Sequence, residues 1–176
     1  KEYLKSIFLQ RKKSRIANII QHLHVDKNII SFVEHHLAHL AAAYYTYPKL
    51  KKNKKVLGLT ADGAGDGISS TVSICNNNNI NRISFTDRHA SLGKIYSRIT
   101  MLLGMKPWEH EYKIMGLAPY ANQKIAFQEA KKLQNLLKLN KRNLKFELAG
   151  NLSTNYSYFY LKEQFERIRF DNIAGA

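Results

Sequence analysis

The segment from Val56 to Cys75 constrains the fold more than any other part of the sequence. Val56-Leu57-Gly58-Leu59-Thr60 reads as a buried strand, and it runs into Asp62-Gly63-Ala64-Gly65-Asp66-Gly67, an acidic turn with three alternating glycines. A second strand, residues 69–75, follows at once. Glycines let backbone N–H groups approach phosphate oxygens with no Cβ in the way. An aspartate at a strand end is placed to hold a metal ion or a metal-bound water. Because a strand follows the turn, and not a helix, this is not a dinucleotide-binding fingerprint, and no Gly-Lys-Ser/Thr closes it into a Walker loop. A calcium loop is excluded as well, since Ser73 or Ile74 stands near the position of the required bidentate Glu. The plain alternative is an ordinary β-hairpin turn.

Around this turn the pattern mixes strands and helices. Ile16, Ile19, Ile20 and Leu23 mark one helical face over residues 12–24, and the β-branched run 29–33 reads as a buried strand. An Ala-rich helix over 36–47 ends before Pro48, and five lysines within residues 49–55 form a solvated loop. Residues 69–75 and 80–85 alternate as antiparallel strands joined by four asparagines, Asn76 to Asn79, which tolerate the positive φ of a tight turn. Helices are expected over 93–103, 111–117, 123–139 and 160–170, and a short strand over 144–148. The expected fold is an α/β lobe with a mixed sheet that contains an antiparallel hairpin, flanked by helices.

Composition narrows the class. With 176 residues, 44% of them apolar and 11% aromatic, the chain can bury a core as one domain or one lobe. Its 28 basic and 13 acidic side chains give a formal charge of +15, which permits an anionic partner without choosing one. Cys75 is the single cysteine, so a disulfide framework, a Cys₄ zinc site and a Cys-x-x-Cys pair are all excluded, and a reducing, cytoplasmic setting is expected. No run approaches the roughly 18 apolar residues of a membrane helix, and the basic start lacks the apolar core of a signal peptide. Both ends read as cut, so a fragment is expected.

Two further motifs carry chemistry. In Val33-Glu34-His35-His36-Leu37-Ala38-His39, His35 and His39 lie one helical turn apart on one face, where two imidazoles can share a metal ion. His36 points about 100° away and is the weaker candidate; the plain alternative is a helix start with surface histidines. The second motif runs from Ser91-Leu92-Gly93, with Ser91 as a helix cap, to Glu111-Tyr112-Lys113-Ile114-Met115-Gly116-Leu117-Ala118-Pro119-Tyr120. There Glu111 and Lys113 flank a helix start whose N–H groups face an incoming anion.

The glycine turn resembles the phosphate hairpin of the actin, sugar-kinase and heat-shock-chaperone superfamily. Taken in order, His-His-Leu-Ala-His with Ala41-Ala42-Ala43-Tyr44-Tyr45, Asp62-Gly63-Ala64-Gly65, Ser91-Leu92-Gly93 with Tyr96 and Thr100, and the 111–120 phrase resemble the nodulation-factor and antibiotic O-carbamoyltransferases. The resemblance implies a partial actin-like (ribonuclease-H-like) lobe related to the tRNA threonylcarbamoyl-transfer proteins. On that reading the chain, residues 1–176, is a fragment of the N-terminal metal- and nucleotide-binding domain, without its first strand, its second half and the C-terminal carbamoyl-phosphate domain. It implies that carbamoyl phosphate and ATP give carbamoyl-adenylate, whose carbamoyl group passes to a hydroxyl of a sugar or natural product. It also implies a divalent, iron-like metal held by His35, His39 and Asp62, with a further Asp from beyond Ala176. Nucleotide phosphates would then sit at Gly63, Gly65, Asp66 and Gly67, with Lys113 as counter-charge.

This chain departs from the family at Leu40, where Ala is usual, at the lengthened 49–55 loop, and at Ala121, where Gly is common. None of these removes an implied ligand. The rival readings are threonylcarbamoyl transfer to tRNA and a basic nucleic-acid-binding module. The 111–120 phrase argues against the first, and the lack of a zinc finger, RNA-recognition phrase or basic helix argues against the second. The expected partners are therefore ATP, carbamoyl phosphate and a hydroxylated small molecule, with neither a membrane nor nucleic acid.

Overall fold

A computed structural model describes the backbone of residues 2–47 and 54–176, and the side chains of 13–47 and 54–176. The chain divides into two compact units, Lys1–Val33 and Glu34–Ala176. The expected loop at 49–55 lies largely outside the described residues; Lys54 and Lys55 are exposed.

In the first unit, helix α1 (Glu2–Leu23) extends well ahead of the apolar stripe that signals it. The strand expected over 29–33 does not form. Asp26 accepts a hydrogen bond from Asn28 N–H at 2.8 Å and caps a 3₁₀ turn, Lys27–Ile29, and Ile30 N–H bonds back to the Lys27 carbonyl. These local bonds compete with a ladder for the same donors, and Ile29 and Val33 stay 70% and 61% exposed.

The second unit opens with α2 (His35–Thr46), followed by β1 (Val56–Gly65), β2 (Ile68–Asn76) and β3 (Asn79–Asp87). The three strands pair in sequence order, antiparallel throughout, with Asn77 in the left-handed region at the β2–β3 turn. Helix α2 covers one face of this sheet: Leu40 and Tyr44 pack with Cys75, and the Tyr44 and Tyr45 hydroxyls donate to the carbonyls of Asn77 and Asn78 at 3.1 and 2.8 Å. Leu40 also fills the space that a side chain at residue 58 would take, since a Cβ on Gly58 would lie 2.6 Å from its Cδ1. Strand β1 is less buried than expected. Leu57 and Leu59 are 62% and 67% exposed, because alternation turns them away from α2.

Helices α3 (Leu92–Leu102), α4 (Glu111–Leu117) and α5 (Gln123–Leu133) follow, then β4 (Leu137–Asn140), β5 (Lys145–Leu148), α6 (Tyr158–Gln164) and α7 (Phe170–Gly175). The helix expected over 123–139 stops at Leu133. The Asn140 side chain accepts from the N–H groups of Arg142 and Asn143, which closes a turn that pairs Leu137 with Leu148 and Leu139 with Phe146. The helix expected over 160–170 forms only as far as Gln164; the chain then turns, with Arg167 at φ +65°, and α7 begins at Phe170. Both sheets are antiparallel among the described residues, so the expected mixed sheet is corrected to three- and two-stranded antiparallel sheets. The main core joins Ile95, Ile99 and Leu103 of the α3 segment to Ile114, Leu136, Leu161, Phe165 and Ile173. Each such side chain contributes about 1.5–3 kcal/mol when fully buried.

Candidate metal centre and the glycine turn

Glu34 sets the position of the two histidines. Its carboxylate caps α2 by accepting from Leu37 N–H at 2.7 Å, and Arg82 of β3 pairs with the same oxygen. Burial pushes the Glu34 carboxyl up, but the bonds from the Leu37 N–H, Arg82 and the His36 N–H outweigh it and leave the group below its usual range. His35 therefore begins a helix with a fixed start. Its own N–H donates to Asp66 Oδ2 at 2.9 Å, which ties the helix start to the glycine turn.

The turn is built from an irregularity in β1. Ala61 pairs with Ser70 and Gly65 with Ile68, so Asp62, Gly63 and Ala64 together face the single residue Ser69. Such a bulge re-aims side chains, and here Asp62 turns towards α2. Asp66 and Gly67, at φ +49° and +85°, then reverse the chain into β2. From the other side Ser91 closes the bulge, its hydroxyl lying 3.2 Å from the Asp62 carbonyl and 2.8 Å from the Gly63 carbonyl while it accepts from Lys94 N–H. Thr154, fully buried, holds Ser91 in turn by accepting from its N–H. Gly93 lets this contact form, because a Cβ there would meet Gly63 N at 2.9 Å and the Asp62 carbonyl at 3.0 Å.

The outcome is a cluster of three donor atoms. His35 Nε2 lies 2.5 Å from Asp62 Oδ2 and 3.1 Å from His39 Nε2, and His39 Nε2 lies 3.8 Å from the same carboxylate oxygen. All three donors fall within 4.8 Å of one another. The hydrogen bond from His35, aided by Gly63 N–H, holds the Asp62 carboxyl below its ordinary range against a smaller opposing effect of burial. A divalent ion bound at about 2.1 Å by each ligand would set neighbouring donors about 3 Å apart, close to the His35–His39 separation. A neutral imidazole nitrogen carries at most one proton. His35 Nε2 therefore cannot donate to Asp62 and also accept from His39, and three lone-pair donors facing one point suit a cation better than a shared proton. The residues present fit a divalent metal.

His36 is engaged elsewhere. Its Nε2–H donates to the Ile68 carbonyl at 3.0 Å and its Nδ1 accepts from Thr60 Oγ1 at 2.8 Å, so it pins α2 to the sheet. Gly65 belongs to the centre by its emptiness, since a Cβ there would overlap the His35 ring at 2.0 Å. Beside Asp62 and His39 opens a recess of about 350 Å³, lined also by Leu59, Thr60 and Ala43. Lys113 stands exposed on α4 with its ammonium 5.9 Å from the Tyr112 ring centroid. The basic side chain described at the turn is Lys94, whose Nζ would lie 3.8 Å from a Cβ on Gly63. Sequence reasoning passed over Lys94, the hold of Asp66 on His35, and the bonding of Ser91 to the turn carbonyls. Only Ser91 carried a signal, its capping spacing before α3.

The family model described as "Carbamoyltransferase N-terminus" matches residues 1–174. The chain belongs to the carbamoyltransferase N-terminal family. Nodulation protein NolNO of Sinorhizobium fredii is 35% identical over 98 residues, 56% of this chain and 14% of that protein. Two uncharacterized proteins of Methanocaldococcus jannaschii also match this family member. MJ1051 is 39% identical over 99 residues, 56% of this chain and 18% of its own length. MJ1058 is 31% identical over 164 residues, 83% of this chain and 26% of its own length. The chain thus spans about a quarter or less of the length of these relatives. No described helix of the family member is long and apolar enough to cross a membrane.

Proposed function

We propose that this chain is the metal- and nucleotide-binding part of an ATP-dependent O-carbamoyltransferase, within a partial actin-like lobe of a cytoplasmic, biosynthetic enzyme. On this reading carbamoyl phosphate, ATP and water give carbamoyl-adenylate with release of phosphate and pyrophosphate, and the carbamoyl group then passes to a hydroxyl of a sugar or natural product, releasing AMP. The observation that carries it is the convergence of His35, His39 and Asp62 in a chain whose family membership is carbamoyl transfer.

His35, His39 and Asp62 would hold an iron-like divalent ion, with a fourth ligand, a carboxylate, supplied from outside these residues. When bound, the ion supplies Lewis-acid charge to phosphate oxygens. The chain's own residues do the positioning. Asp66 and Glu34 fix the start of α2, Ser91 fixes the bulge, and Gly63, Gly65 and Gly67 leave backbone close to the centre for nucleotide phosphates. The recess beside His39 and Asp62 falls at the lower end of the volumes used for small-molecule binding. On the same reading the carbamoyl-phosphate site lies outside these residues, so the isolated chain binds without turning over.

Calorimetric titration of ATP into the chain loaded with Mn²⁺ tests this. Binding that requires the metal and disappears in Gly65→Val supports the reading; ATP binding that ignores both would overturn it.

A further inference from the structure

Trp108 is the chain's single tryptophan and stands 75% exposed on the loop between α3 and α4. Its backbone takes φ +72°, a conformation that bulky residues rarely adopt, and the conformation is held by Trp108 N–H donating to Glu111 Oε1 at 2.6 Å. The strained loop puts the indole face against Lys94, with Nζ 4.7 Å from the ring centroid. Lys94 in turn is the cation at the Asp62–Gly63 bulge. An ammonium against an aromatic face is attracted by the ring yet gives up water on that side.

The charge around Lys94 is one-sided. Arg88 and Arg98 both repel it, and Asp62 is the acid that favours it; burial and the two arginines together hold its ammonium below its ordinary range. Arg98 is itself turned to the Asn155 carbonyl at 3.0 Å, and Lys94 takes part in none of the described ion pairs. Were the Asp62 carboxylate committed to a metal ion, the Lys94 ammonium would keep the repulsion of Arg88 and Arg98 and lose the acid that favours it. An anionic oxygen is the missing partner.

We infer that Lys94, clamped against Trp108, is an anion-binding residue that receives a phosphate oxygen at the edge of the His35–His39–Asp62 centre. This deepens the reading above by naming a residue for the phosphate chain, and it rests on that reading only for which phosphate arrives. The nucleobase plays no part in the contact, so polyphosphate alone is a sufficient ligand. Trp108 reports the event, because an anion on Lys94 changes the charge 4.7 Å from its ring.

The experiment is a titration of the chain with inorganic tripolyphosphate, followed by Trp108 emission, for wild type, Lys94→Met and Lys94→Arg. Calorimetry supplies a readout independent of the indole. The expected result is saturable binding to wild type, at least about 10-fold weaker in Lys94→Met and within about 3-fold of wild type in Lys94→Arg, as charge-assisted hydrogen bonding requires. Equal affinity for wild type and Lys94→Met would overturn the inference. A second arm needs no variant: tripolyphosphate should protect Lys94, more than Lys113, from amine acylation mapped by mass spectrometry. Unprotected Lys94 at saturating tripolyphosphate would overturn it too. Running both arms with and without Mn²⁺ separates the two readings. Lys94-dependent binding without any metal dependence leaves the anion site standing and removes the metal centre.

Discussion

Gly65 and His35 are in contact so close that the glycine has room for no side chain: a Cβ at residue 65 would stand 2.0 Å from the His35 ring. The φ of Gly65 is not in the left-handed region, so the restriction here is the imidazole and not backbone conformation. Gly65→Ala should therefore push His35 out of line with Asp62 and His39 while leaving the β-hairpin intact. Divalent-metal affinity should fall by about 10-fold or more, the scale of losses from disturbed ligand orientation, with little change in circular dichroism. Unchanged affinity would place the metal away from His35.

His35 and His36 are adjacent but should fail differently. His36→Ala removes the imidazole from the Ile68 carbonyl and leaves the Thr60 hydroxyl only Thr71, and leaving a buried polar group without a partner costs about 1–3 kcal/mol. Chemical denaturation should show that loss. His35→Ala should lose metal binding with a smaller loss of stability. A reversed pattern would exchange their roles.

The one-turn spacing of His35 and His39 made this contrast partly legible in the sequence. That His35 and His39 share a face, and that His36 does not, follows from helical geometry alone. Asp62 was legible as a strand-end acid. The bulge that turns it inward was not, since it shows only in the unequal pairing of Ala61–Gly65 with Ile68–Ser70. The Asn76–Asn79 hairpin and the Ser91 cap could be read from local chemistry. Elements whose ends depend on distant partners could not: residues 134–139 keep a helix-like apolar stripe, yet Leu137 is drawn into pairing with Leu148. The apolar run at 29–33 shows the opposite case, where a local cap by Asp26 decides against a strand. Lys94 and Trp108 are 14 residues apart in a stretch read simply as packing, so their contact had no signature.

Leu40 and Gly58 form a size-matched pair, with Leu40 Cδ1 only 2.6 Å from a Cβ built on Gly58. Leu40→Ala should cost about 2–5 kcal/mol through its cavity, and Gly58→Ala about 1–3 kcal/mol through overpacking. The double variant should be more stable than the sum of the two losses allows, because each change relieves the other. Strict additivity in urea melts would show that the two positions do not share space.

The Asp62 carboxyl, held below its ordinary range by His35, gives a pH signature of defined sign. A depressed carboxyl stabilises the fold at any pH above its unfolded value of about 3.9, and that contribution is lost as pH falls through the lower folded value. In metal-free buffer, the stability advantage of wild type over Asp62→Asn should shrink as pH falls below about 4. No stability advantage of wild type over Asp62→Asn at neutral pH would mean that the His35–Asp62 bond does not hold the carboxyl.

The most direct test of the centre is a Co²⁺ titration of the purified chain followed by ligand-field absorption, alongside His35→Ala, His39→Ala and Asp62→Ala. One equivalent of Co²⁺ should bind with bands characteristic of nitrogen and oxygen ligands, and each substitution should weaken binding by about 10-fold or more. Absence of the bands in wild type, or equal binding by all four proteins, would contradict the assignment of His35, His39 and Asp62 as a metal centre.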